Sequence, residues 1–452
     1  MRLPIHFPSF QRQREILQLA LPLIGGMLSQ SLINLVDSAM VGALGSTALA
    51  AIGIAGYTAF VITALILGLS SAVQSTTAFY YGAQCNSSQR NTLNAGLILA
   101  MVLCTPLILL IYPFSHDLLG CINQNGAVIE LAEPYLDWRI IGLLAVGFNL
   151  VFRGYWNGVH HSKIYLKIIV LIHLSNIGIS YILIYGLLGL PALGVEGAGL
   201  GTFLSLCLGT LVWLIYSLKQ LGAEAFIWLR PRSDILKILI SRTLPHSLQQ
   251  TLFASGYLVL FWMIGQIDAL SVAVGHILVN LSLLMILPAV GLGMAATSLV
   301  GRSLGEKDNQ AAQDWGRDVA KVAVILLLLI ALPLAFLAEP VLGLFIIEPK
   351  GIELGIVPLQ LTAFMMVIDA SAIVLTQALL GAGASKMVMQ VSVTLQWGLF
   401  LPLAFVFGVY LGFGLIAIWS VQLIYRCLNA SVFIWLWHVK AWLVHADNSP
   451  KT

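Results

Sequence analysis

Apolar residues dominate this chain in long unbroken blocks, separated by short polar stretches and without the alternation that a strand imposes. About 20 apolar residues wound as a helix cross the hydrocarbon of a bilayer. The pattern predicts twelve spans, at 15–41, 49–80, 93–113, 128–155, 164–188, 194–218, 240–266, 273–300, 319–338, 354–381, 387–410 and 413–439. Backbone groups in lipid must be bonded within the segment, so the predicted fold class is an all-α integral membrane protein. The connections are short, which makes sequential helices antiparallel neighbours.

The informative positions are those that break the apolar pattern. The first span carries Gln30, Asn34 and Asp37 at i, i+4 and i+7, one face of a helix. A carboxylate at bilayer depth costs roughly 2.5–3.5 kcal/mol to insert, so Asp37 is expected to face a cavity and carry function. Asp369 is the second acid well inside a span; it is expected either to bind a cation or to brace helices through Thr376 and Gln377. Asn149, Asn176, Ser180 and Thr202 place further amides and hydroxyls in the fourth to sixth spans. Pro22, followed by Gly25 and Gly26, marks a bend or hinge in the first. His160, His161 and His173 lack metal-ligand spacing and are read as interfacial or packing residues.

The chain has 452 residues, 59% hydrophobic and 9% charged, with a net charge of +3. Soluble domains carry about 25% charged residues, which sets this chain apart from them. Apart from Arg139, Arg426 and Lys350, the lysines and arginines fall in the N-terminus, the C-terminus and alternate connections beginning with 81–92, or at the span ends beside them. The positive-inside rule then puts both termini in the cytoplasm. Arg139 and Arg426 lie within spans, where each either snorkels or pairs with a carboxylate. No small-residue cleavage site follows the first span, which is expected to remain as a helix. Five scattered cysteines suggest neither a disulfide framework nor a metal site. Phosphate-binding glycine loops, zinc-protease and nucleophile-elbow motifs are missing, so no enzyme and no ATP-driven pump is expected. No basic patch interleaved with aromatics points to nucleic acid.

The chain is doubled. Leu21-Pro22 recurs as Leu244-Pro245, Met40-Val41-Gly42 as Met263-Ile264-Gly265, Gly68-Leu69 as Gly291-Leu292, and Gly158 with Lys163 as Gly381 with Lys386, always 223 residues apart. Each half holds six spans, so both insert with the same orientation, as parallel repeats. The expected organisation is an N-lobe at 1–218, a cytoplasmic linker at 219–239 containing Arg230-Pro231-Arg232, and a C-lobe at 240–452. Two six-helix lobes are the geometry of an alternating-access transporter.

Leu21-Pro22 with Gln30 and Val36-Asp37-Ser38-Ala39-Met40-Val41-Gly42, Arg153-Gly154 ahead of Gly158, Leu379-Leu380-Gly381-Ala382-Gly383, and Gly194-Val195-Glu196-Gly197-Ala198 resemble signatures of the multidrug and toxic compound extrusion (MATE) family, and within it the bacterial DinF branch. The resemblance covers essentially the whole chain and implies a V-shaped pair of lobes. It implies that Asp37, with Asn149, Asn176 and Thr202, couples transport to a proton or cation, and that Gln30, Asn34 and Ser180 line the substrate cavity. Ser180 stands where some relatives carry a second aspartate. Asp369, twelve residues before Gly381, matches a cation-site acid of NorM-like relatives, whereas Phe253 stands where their seventh-helix glutamate would be.

The resulting expectation is a monomeric, multi-pass antiporter of the bacterial inner membrane that exports amphipathic, cationic drugs or toxic organic cations. It needs no cofactor and draws on a proton gradient through Asp37. The alternatives are coupling to Na+ and a lipid-linked precursor flippase.

Overall fold

The computed structural model describes residues 8–223, 226, 232–346 and 348–443. Arg2 and part of the predicted linker, including Arg230 and Pro231, lie outside the described residues. All regular structure among the described residues is helical. In chain order the helices are α1 (Phe10–Gly42), α2 (Ser46–Ala64), α3 (Gly68–Gly82), α4 (Asn86–Ile111), α5 (Ser115–Ile122), α6 (Gly126–Ile141), α7 (Leu143–Gly158), α8 (Ser162–Tyr185), α9 (Val195–Leu221), α10 (Ser233–Gly265), α11 (Ala269–Gly305), α12 (Asn309–Phe336), α13 (Ala338–Gly343), α14 (Pro349–Gly381), α15 (Ser385–Val393), α16 (Leu401–Ala404) and α17 (Gly414–His438). Among the described residues eleven spans are long and apolar enough to cross a membrane, or twelve when the bent pair α6 and α7 counts as one.

The departures from twelve uniform rods have local causes. α6 and α7 meet at Gly142 with a bend of 44°, a residue type that commonly sits at sharp kinks. α2 and α3 are parted by Leu65–Leu67, whose amides reach the carbonyls three residues back at 3.0–3.3 Å, a tightened 3₁₀-like turn. The eleventh predicted span is π-helical at Thr394–Phe400 and again at Phe405–Tyr410, on either side of the α16 turn that holds Pro402. Helix starts follow capping chemistry: Asp268 accepts from Ser271 N at 2.7 Å and Asp308 from Ala311 N at 2.8 Å.

Packing resolves two compact units, but not with a boundary in the linker. Of the described residues, one unit holds those up to Ile24 and those from Leu252 to 443; the other holds those within Gly25–Thr251. The first halves of α1 and α10 have thus changed units relative to the predicted lobes. In the Gly25–Thr251 unit, α3 lies along α7, α8 along α9, and α6 against α2 and α9. Gly68 N donates to Ser247 Oγ at 3.1 Å, and Arg242 Nη1 donates to Ser75 and Thr76 hydroxyls at 3.1 Å, fixing the start of α10 to α3. In the other unit α14 packs against α11, α12 and α17. There the start of α1 is held by Arg12 to Asp318 at 3.1 Å, by Arg12 stacked over Trp315, and by Glu15 to Arg302 at 3.1 Å.

The repeat is visible in the packing. A Cβ on Gly158 would lie 2.8 Å from the Gln74 carbonyl oxygen, and one on Gly381 would lie 2.7 Å from that of Thr297. Each member of the first pair is 223 residues before its counterpart in the second. Close backbone approach through glycine is how membrane helices gain packing without a hydrophobic drive. Gly68 against Ser247 and Gly291 against Ile24 form a second such pair of contacts, one in each unit.

Candidate functional site

α1 and α8 run side by side within the Gly25–Thr251 unit. Gly25 and Gly26 admit Leu166 and the Tyr165 ring at one end; any Cβ on Gly26 would overlap that ring. At the other end Tyr185 Oη donates to the Met40 carbonyl at 2.8 Å. Both helices climb in the same direction along this seam, as the first and fifth spans of an antiparallel series must. The two glycines, predicted as a hinge with Pro22, serve here as a close contact.

Two polar clusters sit in the seam. In the first, Asn176 is buried and its amide is oriented by its neighbours: Nδ2 donates to Asp37 Oδ1 at 3.1 Å, while Oδ1 faces the hydroxyls of Thr202 and Ser180 at 3.2 Å each. Thr202 Oγ1 also lies 3.0 Å from the Ala198 carbonyl, its alternative acceptor. Asp37 is half-buried. Among the described residues no cation stands within ion-pair distance of it, although Arg139 on α6 is near enough for its charge to act on the carboxylate. A carboxylate steadied by an amide but not neutralised by a cation keeps its charge available for exchange with a proton or a cation.

In the second cluster, the buried His173 of α8 bridges two residues of α1. Its Nδ1 meets Ser29 Oγ in a short hydrogen bond and its Nε2 lies 3.3 Å from Gln30 Oε1. Gln30 Nε2 points on toward Asn34 Oδ1 at 3.5 Å, and Ser38 Oγ donates to the Asn34 carbonyl at 2.9 Å. Of the two expectations for His173, the packing one fits: it is buried between α8 and α1 and hydrogen-bonded at both ring nitrogens. Its signal was present, since His173, Asn176 and Ser180 stand at i, i+3 and i+7, one polar face in an apolar span.

The remaining candidates divide. Asp37, Asn176 and Thr202 are brought together. Asn149 is not with them: its Nδ2 donates to the carbonyls of Ala145 and Leu206, at 2.8 and 3.0 Å, and to Thr210 Oγ1 at 2.9 Å, tying α7 to α9. Ser180 is fully buried and wedged against Gly201, so it supports Asn176 instead of lining a cavity. Gln30 and Asn34 are exposed.

In the other unit Asp369 is fully buried on α14, and its Oδ2 accepts from Arg426 Nη1 of α17. Its position as an open cation site is corrected, because the guanidinium already stands against the carboxylate. The expected bracing through Thr376 and Gln377 is also replaced: Gln377 instead accepts from Thr297 Oγ1 through its carbonyl, at 2.9 Å. A small cavity beside the pair is lined by Phe253, Tyr257, Gln396, Gln422 and Tyr425. Trp397 Nε1 and Gln396 Nε2 reach the carbonyls of Leu252 and Phe253, at 3.1 and 3.3 Å, so the π-helical stretch supplies part of this wall.

Comparison with known proteins places this geometry. A probable multidrug resistance protein NorM of Bradyrhizobium diazoefficiens is 29% identical over 432 residues, 90% of this chain and 88% of its own. Multidrug resistance protein MdtK of Yersinia pseudotuberculosis is 26% identical over 407 residues, 87% of each chain. An outward-facing multidrug resistance MATE family transporter superposes with a TM-score of 0.87 at 25% identity, over 96% of this chain and 97% of that one. A MATE protein in a bent conformation does so with the same TM-score, identity and coverage. The MatE family profile matches twice, at 22–182 and at 245–406, so its two starts repeat the 223-residue offset of the glycine contacts. A match in that register and over most of the chain means that this protein belongs to the MatE family.

Proposed function

We propose that this chain is an antiporter of the bacterial inner membrane that exports amphipathic, cationic organic compounds in exchange for H+ taken up at Asp37. Both termini are on the cytoplasmic side, and the monomer is the working unit. The observation that carries the reading is the seat of Asp37: a carboxylate inside a spanning helix, held by Asn176 and paired with no cation among the described residues. Relatives named as multidrug resistance proteins support the substrate class. Ionised Asp37 favours a cationic compound; protonation removes the charge and favours release. Proton and substrate thus compete, and exchange follows if each biases the two-lobe equilibrium differently.

The driving force is sufficient. In one-for-one exchange of a monovalent cation for H+ the charges cancel and only the pH gradient drives transport, about 1.4 kcal/mol per pH unit; a further amount of about 2.3 kcal/mol per 100 mV applies to a neutral substrate. Each 1.4 kcal/mol sustains about a tenfold gradient.

Na+ coupling is the second reading, favoured by the hard oxygens of Asp37, Asn176 and Thr202 gathered at one point. The test is efflux of a fluorescent organic cation from vesicles under an imposed pH gradient, with wild-type protein and Asp37→Asn. Loss in the variant is expected. Undiminished gradient-driven efflux overturns the proton reading, and efflux that follows a Na+ gradient at fixed pH replaces it with the second.

A further inference from the structure

We propose that His173 is a second proton-binding residue of the transport cycle, acting beside Asp37 on the same α1–α8 seam. This rests on the reading of Asp37 as the coupling acid and extends it to a second group.

The argument starts from the donors and acceptors around the ring. Gln30 presents its carbonyl oxygen to Nε2 at 3.3 Å, so that nitrogen carries a hydrogen and donates. Nδ1 faces Ser29 Oγ, a group that both donates and accepts. In the neutral ring Nδ1 accepts from the serine hydroxyl. When a proton arrives at Nδ1, the ring donates there instead, and the hydroxyl turns to the backbone carbonyl one turn back on α1, a bond serines in helices readily make. Every hydrogen bond of the ring is therefore kept in both protonation states. A purely structural histidine needs only one tautomer; this seat serves both forms and changes only the direction of one hydroxyl.

The surroundings set the consequence. Among the described residues no charged side chain lies within ion-pair distance of the ring. The ionisable groups on the elements packed around it are Asp37 and, toward the helix start, Arg12, Arg14 and Glu15 on α1, Lys163, Tyr165, Lys167, Tyr181 and Tyr185 on α8 itself, Glu196, Cys207, Tyr216 and Lys219 on α9, and Arg153 and Tyr155 on α7. Of these, Asp37 shares its seam, about two turns further along α1. Protonation of His173 therefore adds a positive charge to the same polar strip that Asp37 makes negative. Its effect on a cationic substrate has the same sign as protonating Asp37: both disfavour the cation. Gln30 carries this to the exposed side of α1, since its amide spans His173 and Asn34.

The test is binding of ethidium to the purified full-length protein in lipid nanodiscs, as dissociation constant against pH from 8 to 4, for wild type, His173→Gln, Asp37→Asn and the double variant. Each displaced proton weakens binding about tenfold per pH unit below its titration. Wild type is expected to fall more steeply than about tenfold per unit at the acid end, and His173→Gln not to exceed about tenfold. A His173→Gln profile that coincides with wild type overturns the proposal. An unchanged Asp37→Asn profile beside an altered His173→Gln profile overturns the Asp37 reading alone. Should His173→Gln fail to fold, ¹⁵N-histidine spectra of the wild type decide the matter, with the ring assigned through its displacement in Ser29→Ala. A ring nitrogen shift that moves between pH 8 and 4, and moves back when ethidium is added, supports the proposal; one that stays constant overturns it.

Discussion

Arg426 donates to Asp369 across α14 and α17, with both side chains sealed inside the packing. Two buried charges of opposite sign are tolerable together and costly apart. Asp369→Asn therefore leaves an unmatched guanidinium and is expected to cost about 3–5 kcal/mol, while an apolar double replacement, Asp369→Leu with Arg426→Met, recovers most of it. Thermal unfolding of the detergent-solubilised variants reads this directly. An Asp369→Asn protein as stable as wild type means that the pair is not the brace described here.

Asp37→Asn is expected to fold normally, because an amide retains the contact with Asn176 at 3.1 Å. It is expected to lose at least about tenfold of the substrate gradient that one pH unit sustains in wild type. The quantity to measure is steady-state accumulation in inverted vesicles, which separates a coupling defect from a slower turnover.

Asn149 and Asn176 are both amides in the middle of spanning helices, yet the structure gives them different tasks. Asn149 bonds to Ala145, Leu206 and Thr210, and Asn176 bonds to Asp37. Asn149→Ala is expected to lower stability by about 0.6 kcal/mol per lost contact with an unchanged pH dependence of transport. Asn176→Ala is expected to shift that pH dependence. Identical pH profiles for the two variants count against the Asp37 cluster.

That contrast marks what the sequence reveals. Spans, repeat and the polar face that holds Asp37 are legible because a polar side chain in an apolar block stands out and a constant offset cannot be missed. Asn176 and Thr202 are legible for the same reason. The direction in which an amide points is not: Asn149 turns toward the α9 backbone, and only the packing of α7 on α9 decides it. Arg426 and Asp369 are each visible, but 57 residues separate them and nothing in either helix names its partner. His173 is legible as part of the polar face it shares with Asn176 and Ser180, but its partners on α1, Ser29 and Gln30, are not. The exchange of the first halves of α1 and α10 between units is a matter of tertiary contact, with no sequence mark beyond the prolines inside each helix.

The glycine contacts give a prediction whose two arms move in opposite directions. Gly158 and Gly381 each lie against a carbonyl, of Gln74 and Thr297, at distances no side chain can occupy. Gly158→Val and Gly381→Val force the helices apart and are each expected to cost about 1–3 kcal/mol, by overpacking. The two losses should be similar, because the contacts are repeat counterparts. Gly178, by contrast, sits on the exposed face of α8, where a Cβ would meet nothing within 4 Å. There the glycine only weakens the helix, so Gly178→Ala is expected to gain about 0.5–1 kcal/mol. Unfolding midpoints of the three variants in one detergent decide it. A Gly178→Ala protein that loses as much stability as the two valine variants means that close approach is not what selects glycine in these helices.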